Sequence, residues 1–182
     1  LIPQVAMRRW LQATLAARHG VAANIDFLTP GEFVGQALAA NLGEADDELD
    51  GEALHWHLYA ALTDPALLVR PALSAIAAHV GGGDPLRAWA LAAELARVFG
   101  RYQAWRRDWL LRWEGGADPD DPQAILWRHV ARGRDHRARR IQRYLDRFGA
   151  LDGAPPQGLP KRLCAFATLN VSPDVLRVIA TQ

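Results

Sequence analysis

The stretch Met7 to Val34, MRRWLQATLAARHGVAANIDFLTPGEFV, constrains the fold more than any other part of the chain. Its first half has helical periodicity: Trp10, Leu11, Leu15 and Ala16 share one face, and Arg8, Arg9, Gln12 and Arg18 occupy the other. Gly20 stands just past the last periodic residue, where a left-handed helix cap favours a residue without a Cβ. Val21 to Phe27 is short and apolar and reads as a buried, extended run. A second helix opens with Thr29 as N-cap, Pro30 at the first helical position and Glu32 at the third, a capping-box arrangement. Phe33 and Leu38 then face the core. On this reading Trp10 and Phe27 are buried anchors that join the first helix to the extended run, with Asn24 and the later Trp109 as further structural anchors.

A length of 182 residues at 50% hydrophobic composition allows one good core or two small ones. No run of eighteen apolar residues is present, so neither a transmembrane span nor a signal peptide is expected in this stretch. Cys164 is the only cysteine. It cannot form an intrachain disulfide, which fits a reducing cytoplasm, and reads as a small core residue rather than a nucleophile. Without cysteine pairs, and with histidines spread thinly, no metal site is expected. The chain starts at Leu1 and ends in an apolar helical pattern, and so reads as a fragment. Its net charge of +1 hides an asymmetry: Gly20 to Pro85 holds one Arg against ten acids, whereas Leu86 to Ala150 holds fourteen Arg against eight. That bias reflects either a GC-rich genome or a segment facing phosphate or acidic protein.

Motif by motif, the fragment is expected to be inactive. Leu1-Ile2-Pro3 reads as the tail of a strand entering the first helix, the layout of a phosphate-cradling loop. Yet Pro3 to Met7 contains neither the glycines nor the lysine that such a loop needs. The acidic loop Gly43 to Gly51 lacks calcium-loop spacing, and His55 and His57 cannot share a helical face. Pro71 must kink or split the helical run that starts at Pro65 and closes at Gly81-Gly82-Gly83. Leu86 to Trp105 is the longest helical pattern. Beyond it, Trp105, Trp109 and Trp113 at i, i+4 and i+8 form one aromatic stripe if the helix continues, flanked by Arg106, Arg107 and Arg112. Such a stripe either stacks bases and neutralises phosphates or is core edged by extended arginines. Ile141, Tyr144, Leu145 and Phe148 are the buried face of a helix spanning Arg139 to Phe148. Ala154 to Pro160 reads as a stiff linker, Arg162 to Ala167 as a buried parallel strand, and Ser172-Pro173 as a capped helix start.

Several of these segments resemble the N-terminal region of the RecC family, the gamma subunits of exodeoxyribonuclease V. The match is carried by Met7-x-x-Trp10-Leu11-x-x-x-Leu15, Gly20 to Phe27, and Pro30-x-x-Phe33. It continues in Arg106-x-Asp108-Trp109-Leu110-x-x-Trp113, Leu126-Trp127-Arg128, His136-Arg137-Ala138, and the unit Leu159 to Pro173. Arg107 departs from the family, which usually has proline there.

The resemblance implies an α/β fold, predominantly helical: an inactive superfamily 1 helicase-like (P-loop-type) domain fragment with a few parallel strands. It places a helicase-like domain at 1–153, a linker at 154–161 and a strand–helix unit at 162–182 that returns to the same sheet. The strand that would end in an Asp-Glu pair in an active helicase is followed here by Thr168-Leu169-Asn170-Val171, without a carboxylate. The implied role is non-catalytic: guiding single-stranded DNA and scanning for Chi within the RecBCD helicase–nuclease, in recombinational repair of double-strand breaks. RecB-like and RecD-like partners supply catalysis and use ATP and Mg, so no cofactor is expected in this fragment. Single-stranded and duplex-end DNA are the implied ligands, and Arg9, Arg101, Arg106 and Arg137 the implied DNA-facing residues. Arg9 and Arg101 stand where familiar RecC chains tend to have uncharged polar residues. Pro3, Val5 and Gly35 also differ from the familiar pattern, so single-strand binding is expected to be kept while recognition of the familiar Chi sequence is altered or lost. The alternative is a helical scaffold for subunit assembly that makes no DNA contact.

Overall fold

The structure, a computed structural model, describes residues 1–45, 48–82, 84–150, 154–167 and 171–181. Among them the chain is predominantly helical: α1 (Met7–His19), α2 (Pro30–Leu42), α3 (Gly51–Leu62), α4 (Pro65–Leu68), a 3-10 turn (Pro71–Leu73), α5 (Ser74–Val80), α6 (Pro85–Trp105), α7 (Arg107–Glu114), α8 (Pro122–Ala131), α9 (Arg137–Phe148) and α10 (Pro173–Ile179). It divides into two compact units, one of residues 1–44 with 143–182 and one of residues 45–142.

Helix starts follow local chemistry closely. Thr29 and Glu32 form the full capping box of α2, each satisfying the other's backbone N–H. Asp50, Asp64, Asp84 and Asp121 accept backbone N–H bonds at the starts of α3, α4, α6 and α8, and proline opens the last three. Pro71 splits the run after Pro65 into α4, the 3-10 turn and α5, because a helix-interior proline has no N–H to give and clashes with the preceding turn.

In the 45–142 unit, α3 packs on α6 and α7 on α8. The core takes Leu54, Leu58, Leu62, Phe99, Leu110, Leu126 and Trp127. Ala88, Ala92 and Ala96 lie along the buried stripe of α6, and such small side chains let a neighbouring helix approach closely. The one isolated β-bridge among the described residues joins Glu48 and Asp135 in parallel.

In the unit of residues 1–44 and 143–182, Phe33, Val34, Ala37 and Leu38 of α2 are buried, as are Tyr144 and Phe148 of α9. Three expectations are corrected here. Helix α1 has no buried residue, and Trp10 is 56% exposed, its ring 6.2 Å from Phe166. Val21 to Asp26 is mostly exposed rather than buried, and only Phe27 enters the core. Asn24 is exposed in the left-handed region at φ 56, which asparagine tolerates better than most residues. Periodicity identifies an amphipathic face, but what covers that face is set by segments distant in sequence. Trp10→Ala should therefore cost below about 1 kcal/mol, read as a nearly unchanged urea midpoint. A loss of several kcal/mol would show that Trp10 is a packed anchor.

The expected parallel strands are also not seen among the described residues. Arg162 to Ala167 is largely exposed, and Cys164 is an exposed free thiol rather than a core residue. The pairing that does exist is brief. The Leu1 amino group donates to the Cys164 carbonyl, Phe166 N–H donates to the Leu1 carbonyl at 2.9 Å, and Ile2 N–H to Leu28 at 2.8 Å. Thr168 to Asn170, where a carboxylate pair would stand in an active helicase, lie outside the described residues, as do Asp46, Asp47 and Gly83. Within the proline-rich stretch, Gln157 is tied to α2: Asn41 Oδ1 accepts from Gln157 N–H at 2.8 Å, and Asn41 Nδ2 donates to the Gln157 carbonyl at 2.9 Å.

Candidate nucleic-acid interface

The tryptophan stripe is broken at Arg106. That residue leaves helical geometry at φ -137 and ψ 42, so it ends α6 and starts α7 at once. Its N–H still donates to Tyr102, and its carbonyl accepts from Trp109, so both helix ends remain bonded. The break sorts the three tryptophans. Trp113 is core at 5% exposure, whereas Trp105 and Trp109 are 43% and 38% exposed. Trp109 meets Tyr102 edge-on at 5.6 Å, and the Arg106 guanidinium lies over its ring at 5.4 Å from the centroid. At that distance the cation is attracted by the ring's negative face. Trp109 is thus a half-exposed support for Arg106.

The Arg-rich half also sorts by partners. Arg112 pairs with Asp118 at 2.9 Å. Arg128 gathers the carbonyls of Trp113 and Ala117 at 3.1 and 2.7 Å and so closes the loop after α7. Buried Arg140 pairs with Glu48 at 3.1 Å. Arg139 reaches Glu114 at 2.6 Å and the Arg134 carbonyl at 2.7 Å. These guanidiniums serve the fold.

Glu114 is the centre of that internal network. Its carboxylate takes His136 Nε2 at 2.6 Å, Trp127 Nε1 at 3.0 Å and Arg139 at 2.6 Å. His136 Nδ1 accepts the Arg139 backbone N–H, which assigns the proton to Nε2, facing the carboxylate. Burial opposes ionisation of Glu114, but the hydrogen bonds from His136, Arg139 and Trp127 outweigh it and hold the carboxyl down to about 2. The network fixes the start of α9 against α7 and α8, and it was missed from sequence because Glu114 and His136 are 22 positions apart.

Of the four arginines expected to face DNA, Arg101 and Arg106 are exposed in the 45–142 unit, one on the last turns of α6 and one at the break. Arg137 opens α9 in the same unit; it is half-buried and already engaged in an interaction. Arg9 is exposed on α1, in the other unit. Arg101 and Trp105 lie one helical turn apart on the same face of α6. The geometry therefore brings Arg101, Trp105, Arg106 and Trp109 to one helix junction. Among the described residues no group of three or more His, Cys, Asp or Glu could hold a metal ion, and no helix is long and apolar enough to cross a membrane.

The family "RecC, N-terminal domain" matches residues 1–181. The RecBCD enzyme subunit RecC of Escherichia coli (strain K12) is 30% identical over 187 residues, 93% of this chain and 16% of the relative. The subunit of the same name from Mycolicibacterium smegmatis is 29% identical over 194 residues, 100% of this chain and 17% of the relative. That from Haemophilus influenzae is 27% identical over 123 residues, 65% of this chain and 11% of the relative. The chain thus spans a small part of the length of the curated relatives it matches. With the family match running through almost every residue, the chain belongs to the RecC N-terminal domain family.

Proposed function

We propose that this chain is part of a non-catalytic, DNA-binding subunit of a RecBCD-type helicase–nuclease acting in recombinational double-strand-break repair in the cytoplasm. The observation that carries the reading is the family match over residues 1–181. It is supported by the exposed Arg101, Trp105 and Arg106 at the α6–α7 junction. The subunit holds single-stranded and duplex-end DNA, guides single strands to RecB-like and RecD-like partners, and scans for Chi. Arg9, Arg101, Arg106 and Arg137 are its proposed DNA contacts. The arginines at positions 9 and 101, with Pro3, Val5 and Gly35, alter the preferred sequence, because a guanidinium offers donors but no acceptor to a base edge.

The helicase-like α/β fold belongs to the same proposal. The short pairing of Leu1 with Cys164 and Phe166, beside that of Ile2 with Leu28, has the parallel sense such a sheet requires. The fragment itself uses no cofactor; ATP and Mg serve the partners. The absence of glycine and lysine between Pro3 and Met7 supports that assignment.

The second reading, a helical scaffold without DNA contact, is favoured by one specific observation. Arg139 and Arg140 are consumed by Glu114 and Glu48 inside the protein. Co-purification of the full-length chain tests the subunit assignment. Recovery in a stable complex with RecB-like and RecD-like subunits is the expected result. A chain that purifies alone from cells producing all three would overturn it. Calorimetry of the 182-residue chain should show no ATP·Mg binding at micromolar concentrations, and measurable binding would contradict the non-catalytic role.

A further inference from the structure

Trp105 is unusual among the tryptophans of the 45–142 unit. Trp56, Trp89, Trp109, Trp113 and Trp127 each lie beside at least one other ring, whereas Trp105 makes no ring contact among the described residues. Its side chain is 43% exposed at the last position of α6. An open indole face in water carries a hydrophobic cost that a planar apolar partner would relieve. The charge around it is cationic: Arg101 lies one helical turn before it and Arg106 follows it directly, with Asp108 the one nearby exposed acid in α7. Glu94, farther up α6, is already paired with Arg97.

The helix break supplies rigidity. Arg106 caps both helices through its backbone, and its guanidinium is held against Trp109, which is itself seated on Tyr102. An arginine held in this way, its Nη1 also donating to the Trp105 carbonyl at 3.4 Å, keeps its charge at the helix junction instead of sweeping freely through solvent. A planar hydrophobic surface flanked by two cations, one of them held, matches one ligand chemistry well: a base attached to a phosphodiester.

From this geometry we propose that Trp105 is a base-stacking platform for single-stranded nucleic acid, with Arg101 and Arg106 neutralising the adjoining phosphates and Trp109 positioning Arg106. The proposal rests on the DNA-binding reading above and adds the mode of contact. Stacking on an aromatic side chain tolerates every base, because each has a π-face. The ring itself therefore holds a base irrespective of its identity, while discrimination between bases is left to hydrogen-bonding side chains, Arg101 among them. An acidic peptide would satisfy the two arginines but has no need of the open ring, and a segment of the remaining polypeptide would bury the ring without needing the arginines.

The test uses the full-length chain in complex with its partner subunits and two probes of equal length: an oligothymidylate and the same deoxyribose-phosphate chain without bases. Trp105→Ala and Trp105→Leu should each weaken oligothymidylate binding about tenfold and leave the base-free chain unchanged. Trp105→Phe, which keeps a ring, should recover most of the loss. Arg106→Lys keeps the charge but not the planar guanidinium seated on Trp109, and should weaken binding without changing its salt dependence. Trp56→Ala, at an exposed tryptophan elsewhere in the unit, should bind as wild type. Equal losses on both probes would overturn stacking while leaving phosphate contact intact. No loss on either probe, with a lowered melting temperature for Trp105→Leu, would assign the ring to intramolecular packing and overturn the proposal. Failure of the wild-type complex to bind either probe would instead overturn the DNA-binding reading on which it rests.

Discussion

Replacing Glu114 with Ala is expected to destabilise the 45–142 unit by about 3 kcal/mol. This is the lower end of the cost of breaking a buried ion pair, because Arg139 keeps partial access to water. The loss comes from what is left behind. His136 is fully buried and would have no acceptor for Nε2, Trp127 would lose the partner of its indole N–H, and Arg139 its counter-charge. Glu114→Gln should cost less, since its amide oxygen can still accept from His136 or Trp127. The effect carries a pH signature. A carboxyl at about 2 in the folded chain and near 4.5 when unfolded stabilises the fold fully above pH 4.5. That contribution is lost as pH falls from 4.5 towards 2. Urea midpoints of wild type and Glu114→Ala should differ widely at pH 7, draw together as pH falls below 4.5, and converge only near pH 2. A gap that stays constant across that range would show that the carboxylate charge is not what the network uses.

A second large effect is expected at Trp127, which is 0% exposed. It packs edge-on against Phe99 at 5.3 Å and His136 at 4.9 Å, and its indole N–H is bonded to Glu114. Trp127→Ala removes the largest fully buried side chain of the unit and one hydrogen bond, a cost of about 3–5 kcal/mol. Trp127→Phe fills most of the space but leaves Glu114 one donor short, and should lose roughly 1–2 kcal/mol. Denaturation of both variants, followed by tryptophan-independent circular dichroism, separates the packing contribution from the bond. Near-native stability of Trp127→Ala would contradict the placement of this ring at the centre of the core.

Helix boundaries are the most legible part of this fold, because they depend on near neighbours. The Thr29–Glu32 box and the Asp84-Pro85 start appear where their residues predict them. The break at Arg106 is less legible: Arg107 stands where the family usually has the proline that would announce it. Nothing local distinguishes core Trp113 from exposed Trp105, since the two share the same helical spacing. Trp10 shows the limit of periodicity most plainly. Its helix has a sound apolar face, yet no other described element of its unit buries it. The Glu114 network was invisible for a different reason, since its partners come from α8 and the start of α9, far along the chain. The triplets Leu126-Trp127-Arg128 and His136-Arg137-Ala138 were singled out by resemblance alone, and the structure gives them physical roles. Trp127 and His136 converge on Glu114, Arg128 closes a loop, and Ala138 sits in the core. That engagement also weakens the argument for Arg137 relative to Arg106, since Arg137 lies half-buried beside the same network.

The most direct test of DNA binding by this domain is a salt series on the full-length complex, comparing wild type with Arg106→Ala and Arg137→Ala. Each phosphate contact releases condensed counterions from the nucleic acid, so log K falls linearly with log salt in proportion to the number of contacts. If both arginines contact phosphate, each substitution should lower affinity for every single-stranded sequence tried and flatten the slope by roughly 1. Slopes and affinities that stay at wild-type values for both variants would contradict the account and favour the scaffold reading.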